Sequence, residues 1–338
     1  MYSIGMDVHS KVTMLCVLDE FGKVVKETSV RGPLGHVPAF VKDLQRCLGG
    51  PVKVCYEASC GCGWLHDQLR AAGMRVQVAH PGRVRMIFRS KRKNDRIDAR
   101  KLATLLFLDQ VPLAHVPPAE VRQWRALIEY RSKLIGQRGA AKSRLRALLR
   151  TNGMVAPRGL WTIRGRHWLE EQAFSEFEGL QRDMLLVELG QIQARVGVVE
   201  GALKKKAAEV PAVGLLMTIP GVGIRTAEAV VAYMDRADRF RRNKSVGCYF
   251  GMVPCEDTSV KARFGHITKE GPSLVRRLVT EAAWQAIRRD AGVRAYFERV
   301  CRGDRDRRKI ALIATAHHLL RVMHAMMTHG EVWRSAAA

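Results

Sequence analysis

Over the first hundred residues, short β-branched apolar runs alternate with stretches of helical period. Ser3 to Val8 predicts a first strand, Lys11 to Leu18 a second, Phe21-Gly22 a turn and Val24 to Val30 a third, which together make an antiparallel meander. A helix is predicted around Pro38 to Leu48, then a strand from Val52 to Tyr56 ending at Glu57. A helix from about Trp64 to Ala72, closed by Gly73, and a fifth strand from Arg75 to Ala79 complete the pattern. The order βββαβαβ followed by a helix near Asp95 is that of the RNase H fold, in which strand ends on one edge of the sheet gather acids.

Beyond Leu108 the period changes. Gln110 to Pro118 carries Pro112, Pro117 and Pro118 and predicts a domain boundary. Glu120 to Arg150 predicts one long helix, apolar along Trp124, Leu127, Leu134, Leu145 and Leu148. Its other side carries Arg122, Arg125, Arg131, Lys133, Arg138, Lys142, Arg144, Arg146 and Arg150. Gly153 to Gly165 breaks the pattern. A second long helix follows, with Leu185, Leu189, Ile192, Val196, Val199 and Leu203 stepping by four and three as a heptad seam. The pair predicts a coiled coil or helical hairpin ~45 Å long at 1.5 Å rise per residue, the seam closing within the chain or against a second copy.

From Leu215 the character shifts again. Thr218-Ile219-Pro220-Gly221-Val222-Gly223, followed by an apolar helix to Met234, has the form of a helix-hairpin-helix, with Gly221 and Gly223 letting the turn approach a phosphate. Cys255 to Gly271 reads as a polar loop. Arg276 and Arg277 open an apolar helix running to Arg289, and a last helix runs from about Asp306 to His329. The apolar run from Ile310 to Met327 is interrupted by His317, His318, Arg321 and His324, so a core helix is expected, not a membrane span. The expected division is an α/β domain over 1–109, a helical coiled-coil region over 118–206 and a mostly α domain over 211–330.

Composition sharpens the expected partner. The 338 residues are 47% hydrophobic, and 57 Lys and Arg against 32 Asp and Glu leave a net charge of +25. Such an excess, spread over several segments, points to a polyanion, and to nucleic acid before a membrane surface. Met1-Tyr2-Ser3 runs straight into a strand, with no leader pattern, so a cytoplasmic, nucleoid-associated protein is expected. The eight Cys show no paired CxxC spacing and predict reduced, mostly buried thiols.

In a basic chain the acids at strand and helix ends carry the chemistry. Asp7 and Glu57 end two strands, and Asp95 and Asp98 share one helix face. Taken alone, Asp95 serves equally as an N-cap and Asp98 as a first-turn acid. Gathered together, the four would repel one another unless a divalent metal removed the penalty. Two Mg²⁺ (or Mn²⁺) ions held by such oxygens activate an attacking oxygen and stabilise a leaving one in phosphodiester chemistry.

Five ordered motifs then stand together: Ile4-Gly5-Met6-Asp7, Tyr56-Glu57-Ala58-Ser59, Asn94-Asp95-Arg96-Ile97-Asp98-Ala99, Ile219-Pro220-Gly221-Val222-Gly223, and Gly251-Met252-Val253-Pro254 with Lys269-Glu270-Gly271. In this, the chain resembles the DEDD insertion-sequence transposases, relatives of the Piv-type DNA invertases. The resemblance implies a RuvC-like N-terminal domain, a coiled-coil insert and a C-terminal transposase domain with a catalytic serine. It also implies a recombinase guided by a bridge RNA, acting on donor and target DNA as a dimer or tetramer. The metal set falls on Asp7, Glu57, Asp95 and Asp98. The serine falls on Ser259, followed by Val260 where the family usually has glycine, with Ser245 and Ser273 as rivals. The family implies that the acids of one domain serve the serine of the other. Phosphate contacts are expected from Arg83, Arg85, Arg92, Lys93, Arg131, Arg138, Lys142, Arg146, Gly221, Gly223, Arg276 and Arg277. The alternatives are a RuvC-like Holliday-junction endonuclease using metal-activated water, an actin-like ATPase and a non-enzymatic nucleic-acid binder.

Overall fold

The computed structural model describes residues 1–88, 94–257 and 263–335. The chain divides after Arg122 into two compact units, 1–122 and 123–338.

The first unit is built on a five-stranded sheet. Its strands are β1 (Tyr2–Val8), β2 (Val12–Leu18), β3 (Val24–Arg31), β4 (Val52–Glu57) and β5 (Arg75–Ala79), in the order β3-β2-β1-β4-β5. The meander β1–β3 is antiparallel, and β4 and β5 run parallel to β1. The central strand β1 is buried on both faces, which is why its sequence reads as a continuous apolar run. Ile4 and Met6 face a core completed by α1 (Val37–Leu48) and α2 (Cys62–Ala71), through Val41, Leu44, Leu65 and Leu69.

A short helix, α3 (Pro81–Ile87), occupies part of the basic stretch that the sequence left without an element. It is followed by α4 (Asp95–Phe107), which covers the opposite sheet face with Ala99, Ala103, Leu102 and Leu106 against Cys16, Leu18 and Cys55. Here Gly5 is decisive. A Cβ on it would lie 2.1 Å from the Ala99 carbonyl oxygen and 2.2 Å from the Ala103 nitrogen. Only a residue without a side chain lets α4 lie directly on β1.

In the second unit the body of α5 (Ala119–Thr151) packs against α7 (Glu176–Ala208), with α6 (Ile163–Glu170) in the connection. Arg131 pairs with Glu200, Arg144 with Glu188, and Asn152 with Glu178, so partner numbers fall along one helix as they rise along the other. The helices are therefore antiparallel neighbours. The seam from Leu185 to Leu203 is buried, and a Ser175–Glu178 capping box starts α7.

The rest of the unit comprises α8 (Pro211–Met217), α9 (Ile224–Met234), α10 (Asn243–Tyr249), β6 (Pro254–Asp257), β7 (Arg263–Ile267), α11 (Ser273–Arg289), α12 (Ala291–Cys301) and α13 (Arg308–His329). One expectation is corrected here. The polar stretch from Cys255 to Gly271 is not a plain loop: β6 and β7 pair antiparallel as a second sheet. Its roots are clamped by Gly251 (φ +63°) and Gly271 (φ +68°), where a Cβ would lie 2.1 Å from the Glu270 and Tyr249 carbonyl oxygens. This tertiary clamp, which local propensity does not encode, sets the pairing. The apolar helix through Arg276 ends at Arg289 as expected, and extended Asp290 then caps a separate α12, which the sequence pattern left unassigned, by accepting from the Val293 amide at 2.9 Å.

Among the described residues α13 is the one helix long and apolar enough to cross a membrane. Its Ala311, Ala316, Leu319, Leu320 and Met323 are fully buried in the unit's core, so packing accounts for that composition. The cysteines are all free, but burial holds for only Cys16, Cys55 and Cys301, which corrects the expectation of mostly buried thiols.

Candidate functional site

The register of β1 and β4 pairs Met6 with Tyr56, so the next positions, Asp7 and Glu57, end adjacent strands at the same sheet edge. Both project to the face that α4 covers, since Gly5 and Cys55 precede them by two. The first turn of α4 brings Asp95 and Asp98 to the same place. The N-cap of α4 is Asn94, whose side chain accepts from the Arg96 amide at 3.0 Å. Asp95 therefore does not serve as the cap.

His9, just beyond β1, completes the cluster. Its Nε2 lies 3.1 Å from Asp7 Oδ2 and 3.7 Å from Asp95 Oδ1, and ligand atoms of Asp7, His9 and Asp95 all fall within 4.8 Å of one another. Asp98 accepts from Lys101 Nζ at 2.7 Å. Burial pushes the Asp7 carboxyl above its ordinary range, a rise that His9 opposes and that Asp95 and Asp98 add to. Burial likewise raises Glu57, with Asp7 and Asp98 adding and Arg85 and Lys101 opposing. The four acids thus share one electrostatic environment, and as anions they destabilise one another. This oxygen-rich, mutually repelling donor set fits a divalent cation, whose charge offsets the repulsion.

Sequence reasoning passed over His9 and Lys101. The signal for His9 was the Asp-x-His spacing at a strand exit, where the chain turns back and carries residue i+2 over the same edge. Lys101 sits three residues after Asp98 on one helix face.

The expected nucleic-acid contacts separate into three groups. Ser259, Arg92 and Lys93 lie outside the described residues. Arg83 and Arg85 are exposed on α3, and Arg138, Lys142 and Arg146 line one side of α5. The remaining cations are engaged within the fold. Arg131 is held by Glu200, and Arg276 Nη1 donates to the carbonyls of Phe250 (3.1 Å), Glu270 (2.5 Å) and Gly271 (3.1 Å). Arg277 donates to Ser132 Oγ at 3.2 Å and lies 3.4 Å from Glu281.

Gly221 (φ +92°) is explained by packing, because a Cβ there would lie 2.6 Å from the Ala286 nitrogen of α11. Gly223 is exposed at the N-cap of α9. Of the rival serines, Ser245 lies in α10. Ser273 is the first residue of α11, whose N-cap is Pro272.

Comparison with known proteins places the chain among relatives. A family described as "Transposase", the DEDD type of IS110, matches residues 4–153, and the "Transposase IS116/IS110/IS902 family" matches residues 213–298. The transposase for insertion sequence element IS1111A of Coxiella burnetii is 26% identical over 99% of this chain and 92% of its own. A probable family 20 transposase of Pseudomonas aeruginosa is 25% identical over 98% of each chain. The Thermus thermophilus RuvC structure covers 34% of this chain with all of its own length, at 16% identity and a TM-score of 0.26, and adds nothing to the strand order described above. With the first of these families ending just beyond the long helix α5 and the second spanning α8 to α12, the chain belongs to the IS110/IS116 family of insertion-sequence transposases, enzymes that cleave and transfer DNA.

Proposed function

We propose that this chain cuts donor and target DNA and rejoins them through a serine nucleophile, Ser259, assisted by a Mg²⁺ or Mn²⁺ site at Asp7, Glu57, Asp95 and Asp98. The observation that carries the reading is the close approach of α4 to Gly5, which sets two helix acids beside two strand-end acids. The bound cations supply charge neutralisation and activation of an oxygen nucleophile. The chain's own residues do the rest. Asp7 and Glu57 present oxygens from a rigid sheet edge, His9 orients Asp7, and Lys101 fixes Asp98.

In the cleavage step the Ser259 oxygen forms a bond to a DNA phosphorus. The bond from that phosphorus to one strand oxygen breaks, and the serine proton passes to the departing hydroxyl. The phosphoserine link retains the energy of the diester, so a hydroxyl of another strand reverses the attack without ATP. Guidance by a bridge RNA leaves the protein little base reading of its own, in keeping with cations that contact backbones.

Three parts, 1–109, 118–206 and 211–330, would divide this work as catalytic domain, coiled coil and transposase domain in an intracellular protein. A homo-oligomer is supported by a second apolar stripe on α7: Phe177, Leu180, Met184, Val187 and Val198 are exposed at heptad-like spacing.

Trapping with labelled DNA tests the chemistry. A covalent protein–DNA adduct is expected from the native chain and absent from Ser259→Ala and Asp7→Ala. Cleavage with no adduct, undiminished in Ser259→Ala, would instead establish a metal-activated-water endonuclease.

A further inference from the structure

The second half of α5 and the start of the connection after it carry a charge imbalance that the cleavage chemistry does not use. From Tyr130 to Leu169 there are ten Lys and Arg and no Asp or Glu. Arg138, Lys142, Arg146 and Arg150 recur every four residues on α5, a row ~18 Å long at 1.5 Å rise per residue.

The row is gathered around an aromatic ring from the connection. Lys142 Nζ lies 4.8 Å and the Arg146 guanidinium 5.3 Å from the centre of the Trp161 ring. Arg166 of α6 approaches the same group; its Nη2 donates to Gln193 at 2.9 Å, while its buried Nε has no hydrogen-bond partner among the described residues. Burial, then Arg138, Arg166 and Arg146, hold the Lys142 ammonium below the ordinary lysine range. Beside the row opens a cavity of about 510 Å³, lined by Arg146, Arg150, Leu149, Met154 and Val155. Val155 is 87% exposed.

Cations crowded without an acidic partner destabilise the free protein and are relieved by an anion. A row of four fits an extended polyanion better than a point charge. The apolar cavity flanking it suits the face of an unpaired base, which a duplex would keep stacked inside.

We propose that this face of α5, with Trp161 and Arg166, binds an unpaired nucleic-acid strand, phosphates along the row and a base in the flanking cavity. The proposal rests on the transposase reading for its biological sense but not for its test.

The experiment measures binding of fluorescent 15-residue single strands, RNA and DNA in separate arms, and of a 15-base-pair duplex. It uses the full chain carrying Asp7→Asn, in EDTA, so that cleavage plays no part. The double variant Lys142→Ala/Arg146→Ala is expected to weaken single-strand binding about tenfold at 0.1 M salt. The slope of log K against log salt should fall by about 1.4, two phosphates' worth, with duplex binding changed less than twofold. Arg150→Ala, at an exposed helix position, should weaken single-strand binding about threefold and decides the matter if the double variant does not fold. Loss in the RNA arm, the DNA arm or both supports the site and identifies its ligand. Unchanged affinity and slope in both arms, or an equal loss for the duplex, overturns it. Absence of adducts in the separate trapping experiment on the native chain, alongside the expected binding loss here, would count against the serine chemistry and leave this site standing.

Discussion

Two places in this molecule crowd like charges, and they do so by different means. At the sheet edge of the first unit, backbone geometry does the crowding: strand register aligns Asp7 with Glu57, and a glycine lets α4 deliver Asp95 and Asp98. On the second unit's hairpin, sequence period does it, repeating cations every four residues on a helix that carries no acid beyond Tyr130. The acidic cluster is compact, partly buried and suited to a small cation. The basic row is extended, largely exposed and suited to a polyanion. Each is a local liability in the free protein, and in each the liability names the missing partner by charge and shape.

The largest expected effect comes from separating the acids without touching any of them. Gly5→Val places methyl groups where the backbone of α4 now lies, so the helix must shift or the strand must bend. Overpacking of this kind costs about 1–3 kcal/mol, and backbone contact puts Gly5→Val at or above the upper end. DNA cleavage should fall by at least a hundredfold, whereas single-strand binding by the α5 row should be kept in whatever fraction remains folded. Cleavage at the native rate in a folded Gly5→Val chain would show that the convergence of α4 on β1 is not what assembles the site.

How much of this was legible in the sequence follows the same division. Asp7 and Glu57 could be read because an apolar run that ends in an acid delivers that charge to the rim of a sheet, and because five apolar runs in the right order fix the sheet. The close approach at Gly5 could be read only as a motif letter, since nothing local says that a helix ninety residues later will lie on it. His9 went unread because histidines at turns are common; its meaning comes from Asp95, which is distant in sequence. The β6–β7 pair was hidden for a related reason. Four or five mixed polar residues do not announce a strand, and the clamp between Gly251 and Gly271 that holds them is tertiary. The basic side of α5 was plain, but its focus on Trp161 and Arg166 was not, because both arrive from a connection with no regular period. Arg131 and Arg276 looked like phosphate ligands for lack of any sign of their internal acceptors.

A second, intermediate effect is electrostatic. The carboxyls of Asp7 and Glu57 are raised on folding, so the folded metal-free protein binds protons more tightly than the unfolded chain does. By linkage, their unfavourable contribution is fully present above the folded-state values and disappears as pH falls toward the unfolded ones, near 4. In EDTA, lowering the pH from 7 toward about 4 should therefore stabilise the native protein relative to an Asp7→Asn/Glu57→Gln variant, as read by urea unfolding. Saturating Mg²⁺ or Mn²⁺ at pH 7 should raise the melting temperature of the native chain by several degrees, and that of the variant little. If the two proteins respond alike to both pH and cation, the acids are not coupled through a common site.

The smallest expected effect sharpens the contrast within the hairpin itself, where a matched and an unmatched cation stand two residues apart. Arg144 has an acidic partner, Glu188, at 3.3 Å, with the two side chains 59% and 43% exposed. Solvent and salt screen such a pair, so Arg144→Ala should cost at most about 0.2–1 kcal/mol of stability and leave single-strand binding within twofold of native. Lys142 has neighbours of its own sign in place of a partner. Lys142→Met keeps the length of the side chain over Trp161 and removes only the charge. It should therefore leave the free protein as stable or slightly more stable while weakening strand binding. The opposite ordering, with Arg144→Ala the more damaging to binding and Lys142→Met the more damaging to stability, would mean that the row is held together by packing and that its charge has no ligand to meet.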